Sequence, residues 1–195
     1  GETWESEALA ARLFKNERML AAGGGGVSFS GGECLLQADF LCETLRLLRG
    51  RLHTAIQTSG FAVGEVFDRV LQTVDLVLYD LKIIDSAAAK RFTGQDSAPI
   101  LRNFRTLQES GVPYIVRVPL IPGVTDTQEN MRDILRCVAE NTAGLQAIEL
   151  LPYNKLAGSK YALVGREYKP LFDTEAQPQV RDALFKQYGL HYRVL

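Results

Sequence analysis

Leu76-Val77-Leu78-Tyr79-Asp80-Leu81 is too apolar to alternate between a wet and a dry face, so it reads as a strand buried on both sides. Strands of that kind belong to parallel sheets covered by helices. Outward from it the hydrophobic period switches repeatedly between 2 and 3.6. Toward the amino end, residues 27–30 and 53–58 read as strands. A helix over about 37–49 buries Phe40, Leu41, Leu45 and Leu48 before Gly50 stops it, and a second carries Val66, Phe67, Val70 and Leu71. Toward the carboxyl end come short helices near 86–92, a helix over 98–109 with Ile100, Leu101, Phe104 and Leu107, and a strand over 114–118. A loop over 119–125 leads to a helix over 127–140 with Met131, Ile134, Leu135 and Val138 on one stripe. A strand over 147–151, a polar loop to about 167, a helix from about 176 to 188 and a strand over 191–194 complete the pattern. Alternation of this kind predicts right-handed βαβ units and a parallel sheet, open or rolled into a barrel. Residues 1–22 read as a peripheral segment, with one amphipathic helix over 6–20, and residues 23–195 as the domain.

The 195 residues are 46% hydrophobic and 23% charged, the composition of a globular chain, and 22 basic against 23 acidic residues leave a net charge of −1. That balance excludes binding of nucleic acid or an anionic membrane by bulk charge. No apolar run approaches the roughly 20 residues of a membrane span, and Gly1-Glu2-Thr3-Trp4-Glu5 is acidic where a signal peptide is basic, so the chain reads as cytoplasmic. Cys34, Cys42 and Cys137 form no C-x-x-C pair. They read as reduced structural thiols, and no metal ligand is expected among them. His53 and His191 are isolated and read as packing or surface residues.

Ligands of parallel sheets collect at the carboxyl ends of the strands. Those ends carry Ser30-Gly31-Gly32-Glu33, Gln57-Thr58-Ser59-Gly60, Asp80-Leu81-Lys82, Arg117 and Pro152-Tyr153-Asn154. Gly23 to Gly26 precede a strand instead of following one, and no G-K-[ST] follows them, so a nucleotide phosphate loop is not indicated. Gly31-Gly32 is either a structural turn or a platform on which a ligand meets peptide groups. Asp80 and Lys82 lie two apart, hence on one face; they are either a capping ion pair or a hydroxyl-binding acid beside a carboxylate-binding cation. Arg117 inside an apolar strand requires a partner or an anionic ligand.

The run Gly24-Gly25-Gly26-Val27-Ser28-Phe29-Ser30-Gly31-Gly32-Glu33, the turn Thr58-Ser59-Gly60-Phe61, Asp80-Leu81-Lys82, Arg117 with Ile121-Pro122-Gly123-Val124, and Glu149-Leu150-Leu151-Pro152-Tyr153-Asn154-Lys155 occur in one order. Together they resemble the activating enzymes of glycyl radical enzymes, the pyruvate formate-lyase activating enzyme group of the radical S-adenosylmethionine superfamily, over nearly all of the chain from Gly23. The resemblance implies a partial parallel (βα) barrel, here without its first strand, that binds S-adenosylmethionine against a [4Fe–4S] cluster. It also implies a glycyl radical enzyme as protein substrate and a flavodoxin or ferredoxin as electron donor. On the same resemblance, Gly31, Gly32, Glu33 and Gln57 hold the methionyl amino end. Asp80, Leu81 and Lys82 hold the ribose and carboxylate, Arg117 lies near the cofactor, and Asn154 closes over the nucleoside. Two features depart from the family's pattern. Gln57 stands where an acid is common, and no C-x-x-x-C-x-x-C occurs in the 195 residues.

The expectation is therefore a fragment of a radical S-adenosylmethionine activase, inactive by itself because electrons from a cluster break the sulfonium bond. A radical S-adenosylmethionine enzyme with another substrate and a non-catalytic binding domain are the rival readings. A missing first strand would expose the edge of the strand over 27–30. That edge would then self-associate or be covered by residues 3–20 folding back.

Overall fold

The computed structural model describes residues 2–154, 165, 167 and 169–195. Its strands are β1 (Gly26–Phe29), β2 (His53–Thr58), β3 (Leu76–Asp80), β4 (Tyr114–Leu120), β5 (Leu145–Pro152) and β6 (Arg193–Val194). They form one sheet in sequence order, with parallel pairing of β1 to β2, β2 to β3 and β5 to β6. The helices are α1 (Ser6–Phe14), α2 (Glu17–Ala21), α3 (Ala38–Leu48), α4 (Gly64–Leu71), α5 (Ser86–Thr93), α6 (Ala98–Ser110), α7 (Gln128–Ala139) and α8 (Asp182–Tyr188). The α/β alternation expected from the periodicity is present.

Contacts divide the chain into two compact units. The first comprises Gly1–Asp80, Ala98–Ile115 and Ala143–Gln146; the second comprises Leu81–Ser97, Val116–Thr142 and Ala147–Leu195. The first unit is built on an aromatic stack: Phe67 meets Tyr79 at 6.0 Å, Tyr79 meets Phe104 at 5.2 Å, and Phe104 meets Tyr114 edge-on at 5.8 Å. All four rings are fully buried, with Leu45, Ile56 and Leu107 around them. Its amino-terminal part is tied in as well. Ala10 of α1 packs with Leu48 and Leu52, joined by Leu13, Phe14, Leu20, Val27 and Phe29. Val27 and Phe29 of β1 thus share one apolar cluster with side chains of α1 and α2.

In the second unit, Met131, Ile134, Leu135 and Val138 of α7 are buried, as are Val116, Val118 and Leu120 of β4 and Ile148 and Leu150 of β5. The Thr127 hydroxyl caps α7 by accepting from the Asn130 N–H at 3.2 Å. Asp85 caps α5 through Ala88 N–H at 2.7 Å, and Gly94, at φ 77, closes it in the left-handed conformation.

Several boundaries differ from the sequence expectation. The helix expected over 6–20 breaks at Lys15-Asn16, where Asn16 leaves helical geometry at φ −111, ψ 13 and turns its amide toward the Arg12 carbonyl. β4 continues through Pro119, whose carbonyl is taken by the Thr125 hydroxyl. The last helix begins at Asp182, six residues late, because Pro178 disfavours helix at Gln177 and the Gln179 N–H donates to Asp126 Oδ2 at 2.8 Å. The final strand is limited to Arg193–Val194. Truncating the ring at the centre of the aromatic stack, Phe104→Ala, is expected to lower stability by about 3–5 kcal/mol, read from the urea midpoint.

Candidate functional site

In the first unit β1 ends in a loop whose conformation only glycine adopts readily, with Gly31 at φ 126. Gly31 and Gly32 are exposed, and a Cβ on either would meet nothing within 4 Å, so the space beside both Cα atoms is open. The next residue, Glu33, is used internally. Its Oε1 accepts from Thr58 Oγ1 at 2.5 Å and from Leu35 N–H at 3.3 Å, and its Oε2 accepts from Ser59 N–H at 3.0 Å and Ser59 Oγ at 2.7 Å.

The loop after β2 is pinned from the other side. Gly60 N–H donates to Thr58 Oγ1 at 2.8 Å, and the Asn103 amide of α6 donates to the carbonyls of Gly60 and Ala62 at 2.8 and 2.9 Å. Gly60 is at φ 72, and a Cβ there would lie 1.8 Å from the Tyr79 hydroxyl, so two independent constraints require glycine. Tyr79 donates to the Ile100 carbonyl at 2.7 Å. Burial, reinforced by the charge of Glu33, pushes its hydroxyl well above the ordinary tyrosine range. Gln57, half-buried, accepts at its carbonyl from Cys34 Sγ at 3.4 Å. Burial and then the Glu33 charge push the Cys34 thiol up to about 12, so it stays protonated. Asp80 ends β3 in a half-buried position.

In the second unit Lys82 is exposed between buried Leu81 and Ile83. Its backbone is fixed: the buried Asn130 amide donates to the carbonyls of Lys82 at 2.8 Å and Thr125 at 2.9 Å and accepts from Ile84 N–H at 3.0 Å, while Leu81 N–H donates to the Arg117 carbonyl at 2.9 Å. Arg117 has the acidic partner that its apolar strand demanded. Its Nε lies 2.7 Å from Oε2 of Glu149, whose side chain is 3% exposed, and Arg193 of β6 binds the other oxygen. Burial pushes the Glu149 carboxyl up, but the hydrogen bonds and charges of Arg193 and Arg117 outweigh it and hold the group below its ordinary value. Asn154 is exposed after β5 and borders a cavity of about 560 Å³ that is also lined by Phe92, Ile121, Tyr153, Lys169 and Phe172. Lys155 lies outside the described residues. His53 and His191 are exposed. Among the described residues, no three His, Cys, Asp or Glu side chains are grouped to hold a metal ion, and no helix is long and apolar enough to cross a membrane.

The pattern of the Radical SAM superfamily matches residues 2–136. The chain is 33% identical over 189 residues to the pyruvate formate-lyase-activating enzyme of Clostridium pasteurianum, covering 96% of this chain and 78% of that enzyme. The chain belongs to the radical SAM superfamily. Within it, the relatives are activating enzymes of glycyl radical enzymes. The trans-4-hydroxy-L-proline dehydratase activating enzyme of Clostridioides difficile is 34% identical over 171 residues, which are 87% of this chain and 57% of that enzyme. A crystallised domain of the pyruvate-formate lyase-activating enzyme of Bacteroides vulgatus ATCC 8482 superposes with a TM-score of 0.70 at 29% identity, covering 88% of this chain and 99% of that domain. The expected fold is thereby established as that of the radical SAM proteins. The chain nonetheless spans little more than half of the Clostridioides difficile relative.

Sequence reasoning did not single out Asn103, Asn130 or Arg193, and it quoted Glu149 only within a motif. Each leaves a signal: Asn130 lies four residues before Ile134 on the apolar stripe of α7, Asn103 four before Leu107 on α6, and Glu149 interrupts an apolar strand. Because the folded state holds Glu149 below its unfolded value, its stabilising contribution is full above that unfolded value and is lost as pH falls through the folded one. Between about pH 6 and about pH 3 the urea midpoint of the wild type is expected to fall more steeply than that of Glu149→Gln. Parallel slopes would remove the ion triad as the cause.

Proposed function

We propose that the chain carries S-adenosylmethionine-binding residues of a cytoplasmic glycyl-radical-enzyme activase, an oxidoreductase. The observation that supports this best is the exposed loop at Gly31-Gly32, followed by Glu33 whose carboxylate is bonded to Thr58 and Ser59. A zwitterionic amino acid needs carbonyl acceptors for its ammonium group and a cation for its carboxylate. Within the first unit the exposed Gly31 and Gly32 carry peptide carbonyls, and within the second unit the exposed Lys82 is a cation. Asp80 takes hydroxyls of the ribose, Leu81 sets the direction of its neighbours, and Gln57 accepts from the amino end without adding charge. Arg117 is held by Glu149, and Asn154 meets the nucleoside. Given one electron from a [4Fe–4S] cluster held outside these residues, bound S-adenosylmethionine would release methionine and supply the carbon-centred radical that takes a hydrogen atom from a glycine of the partner enzyme. The partner is a glycyl radical enzyme, and the electron donor is a flavodoxin or ferredoxin.

The residues of this chain do not fit a [4Fe–4S] cluster. Cluster ligands are several thiolates gathered at one place, and Cys34, Cys42 and Cys137 form no such group among the described residues. By itself the chain is therefore inactive in radical generation. Reconstitution with iron and sulfide is expected to give less than one cluster per chain, and a stoichiometric chromophore would overturn this part of the reading.

Calorimetry tests the binding site. Lys82→Ala is expected to weaken S-adenosylmethionine binding by about tenfold or more, the loss of one charge-assisted bond. Equal affinity for wild type and variant would refute the placement of the carboxylate on Lys82.

A further inference from the structure

We propose that a groove on the first unit, formed by the turn Cys34–Gln37, the segment leading into α4 and the start of α6, docks a peptide segment of another protein that presents two apolar side chains beside a carboxylate. The proposal stands without the S-adenosylmethionine reading. The groove encloses about 740 Å³, and its walls include Leu35, Leu36, Phe61, Val63, Pro99 and Arg102, all within the first unit. Leu36 is 79% exposed and Val63 is 67% exposed. Single exposed apolar residues are ordinary. Here, however, two of the three most exposed large apolar side chains among the described residues border one concave surface, together with the half-buried Phe61 and Pro99.

Hydrogen bonds keep these walls apart. Leu35 N–H donates to Glu33 Oε1 at 3.3 Å, and Leu36 N–H donates to the Glu33 carbonyl at 3.2 Å. The buried Asn103 amide donates to the carbonyls of Gly60 and Ala62, which ties α6 to the chain on both sides of Phe61. The Val63 carbonyl accepts from the N–H groups of Val66 and Phe67 at 3.0 and 3.2 Å as α4 begins. The exposed side chains are therefore mounted on fixed backbone and cannot fold inward to bury themselves. Filling a groove that is already ordered loses little conformational freedom, so most of the gain from apolar burial appears as affinity.

Charge selects the occupant. Arg102 is exposed, is the one charged side chain among the described residues that line the groove, and has no ion-pair partner among the described residues. A second copy docked through the same face would bring another Arg102 and no acid, so like charges would meet across a two-fold axis. A membrane surface is held by clusters of about four to eight cations, and the groove carries one. A peptide segment satisfies both features. Two apolar side chains on one face of a strand or helix fill the floor, and an Asp or Glu beside them pairs with Arg102 as the groove is covered.

The test selects short random peptides displayed on phage against this chain and measures the selected sequences as synthetic peptides by calorimetry. The selected peptides are expected to carry two apolar residues with an Asp or Glu close by. Leu36→Ser and Val63→Ser are each expected to weaken their binding about tenfold, and Arg102→Ala by a similar factor. All three side chains are exposed, so unchanged thermal midpoints are expected to accompany these losses. Arg102→Glu is expected to reverse the preference, binding a peptide with Lys in place of the acid more tightly than the original, which a merely adhesive apolar patch would not do. The proposal is overturned if no peptide is enriched, if the enriched peptides bind Arg102→Ala as tightly as wild type, or if they bind Leu36→Ser and Val63→Ser undiminished. Self-association of the wild type that Leu36→Ser abolishes would make a second copy the occupant and overturn it as well.

Discussion

Tyr79 is the residue through which the core of the first unit fixes its strand-end loops. Its ring lies between Phe67 and Phe104, and its hydroxyl is bound to the Ile100 carbonyl, so it has no rotational freedom left. The same hydroxyl occupies the space that a Cβ of residue 60 would need. Gly60 can therefore follow β2 closely, its carbonyl reaches Asn103, and its N–H reaches Thr58. From Thr58 the chain of contacts passes to Glu33 and so to the loop of Gly31 and Gly32. Packing of four aromatic rings is connected in this way, through Gly60 and Thr58, to the carboxylate that follows the exposed glycines.

The second unit achieves order at its own strand ends by a different physical route. Glu149 is buried, and an ionised carboxylate without partners would be costly there. Two guanidinium groups offset that cost, one from β4 and one from β6, so the triad ties the last short strand to the middle of the unit. Breaking such an arrangement is worse than never having built it, because removing one partner strands the rest. Asn130 performs the neutral version of the same task with three backbone bonds to the segment that carries Lys82. The exposed Lys82 side chain is in this way mounted on a hydrogen-bonded backbone segment.

The periodic features were legible in the sequence. β2 matches its expected limits at His53 and Thr58, and the α7 stripe of Met131, Ile134, Leu135 and Val138 is fully buried. The motif residues were legible too, since glycines and charges at strand ends violate the local hydrophobic pattern. What the sequence concealed depends on partners distant along the chain. Asn130 and Ile84 are 46 residues apart, Arg193 and Glu149 are 44 apart, and nothing local to either member announces the other. The late start of α8 has the same origin. Asp126 draws the Gln179 N–H and the Arg181 side chain away from helix geometry, a tertiary contact that local propensity does not contain.

Cys34 illustrates how position decides the chemistry of a residue type. It follows Glu33 directly, in the loop that carries the exposed glycines, where a thiolate would be useful for holding iron. Yet burial and the neighbouring carboxylate both oppose ionisation, and its S–H donates to the Gln57 carbonyl. The negative charge that organises the loop is the same charge that keeps this sulfur protonated. Burial and a buried carboxylate next to it thus make Cys34 a neutral hydrogen-bond donor within the loop and not a reactive thiolate.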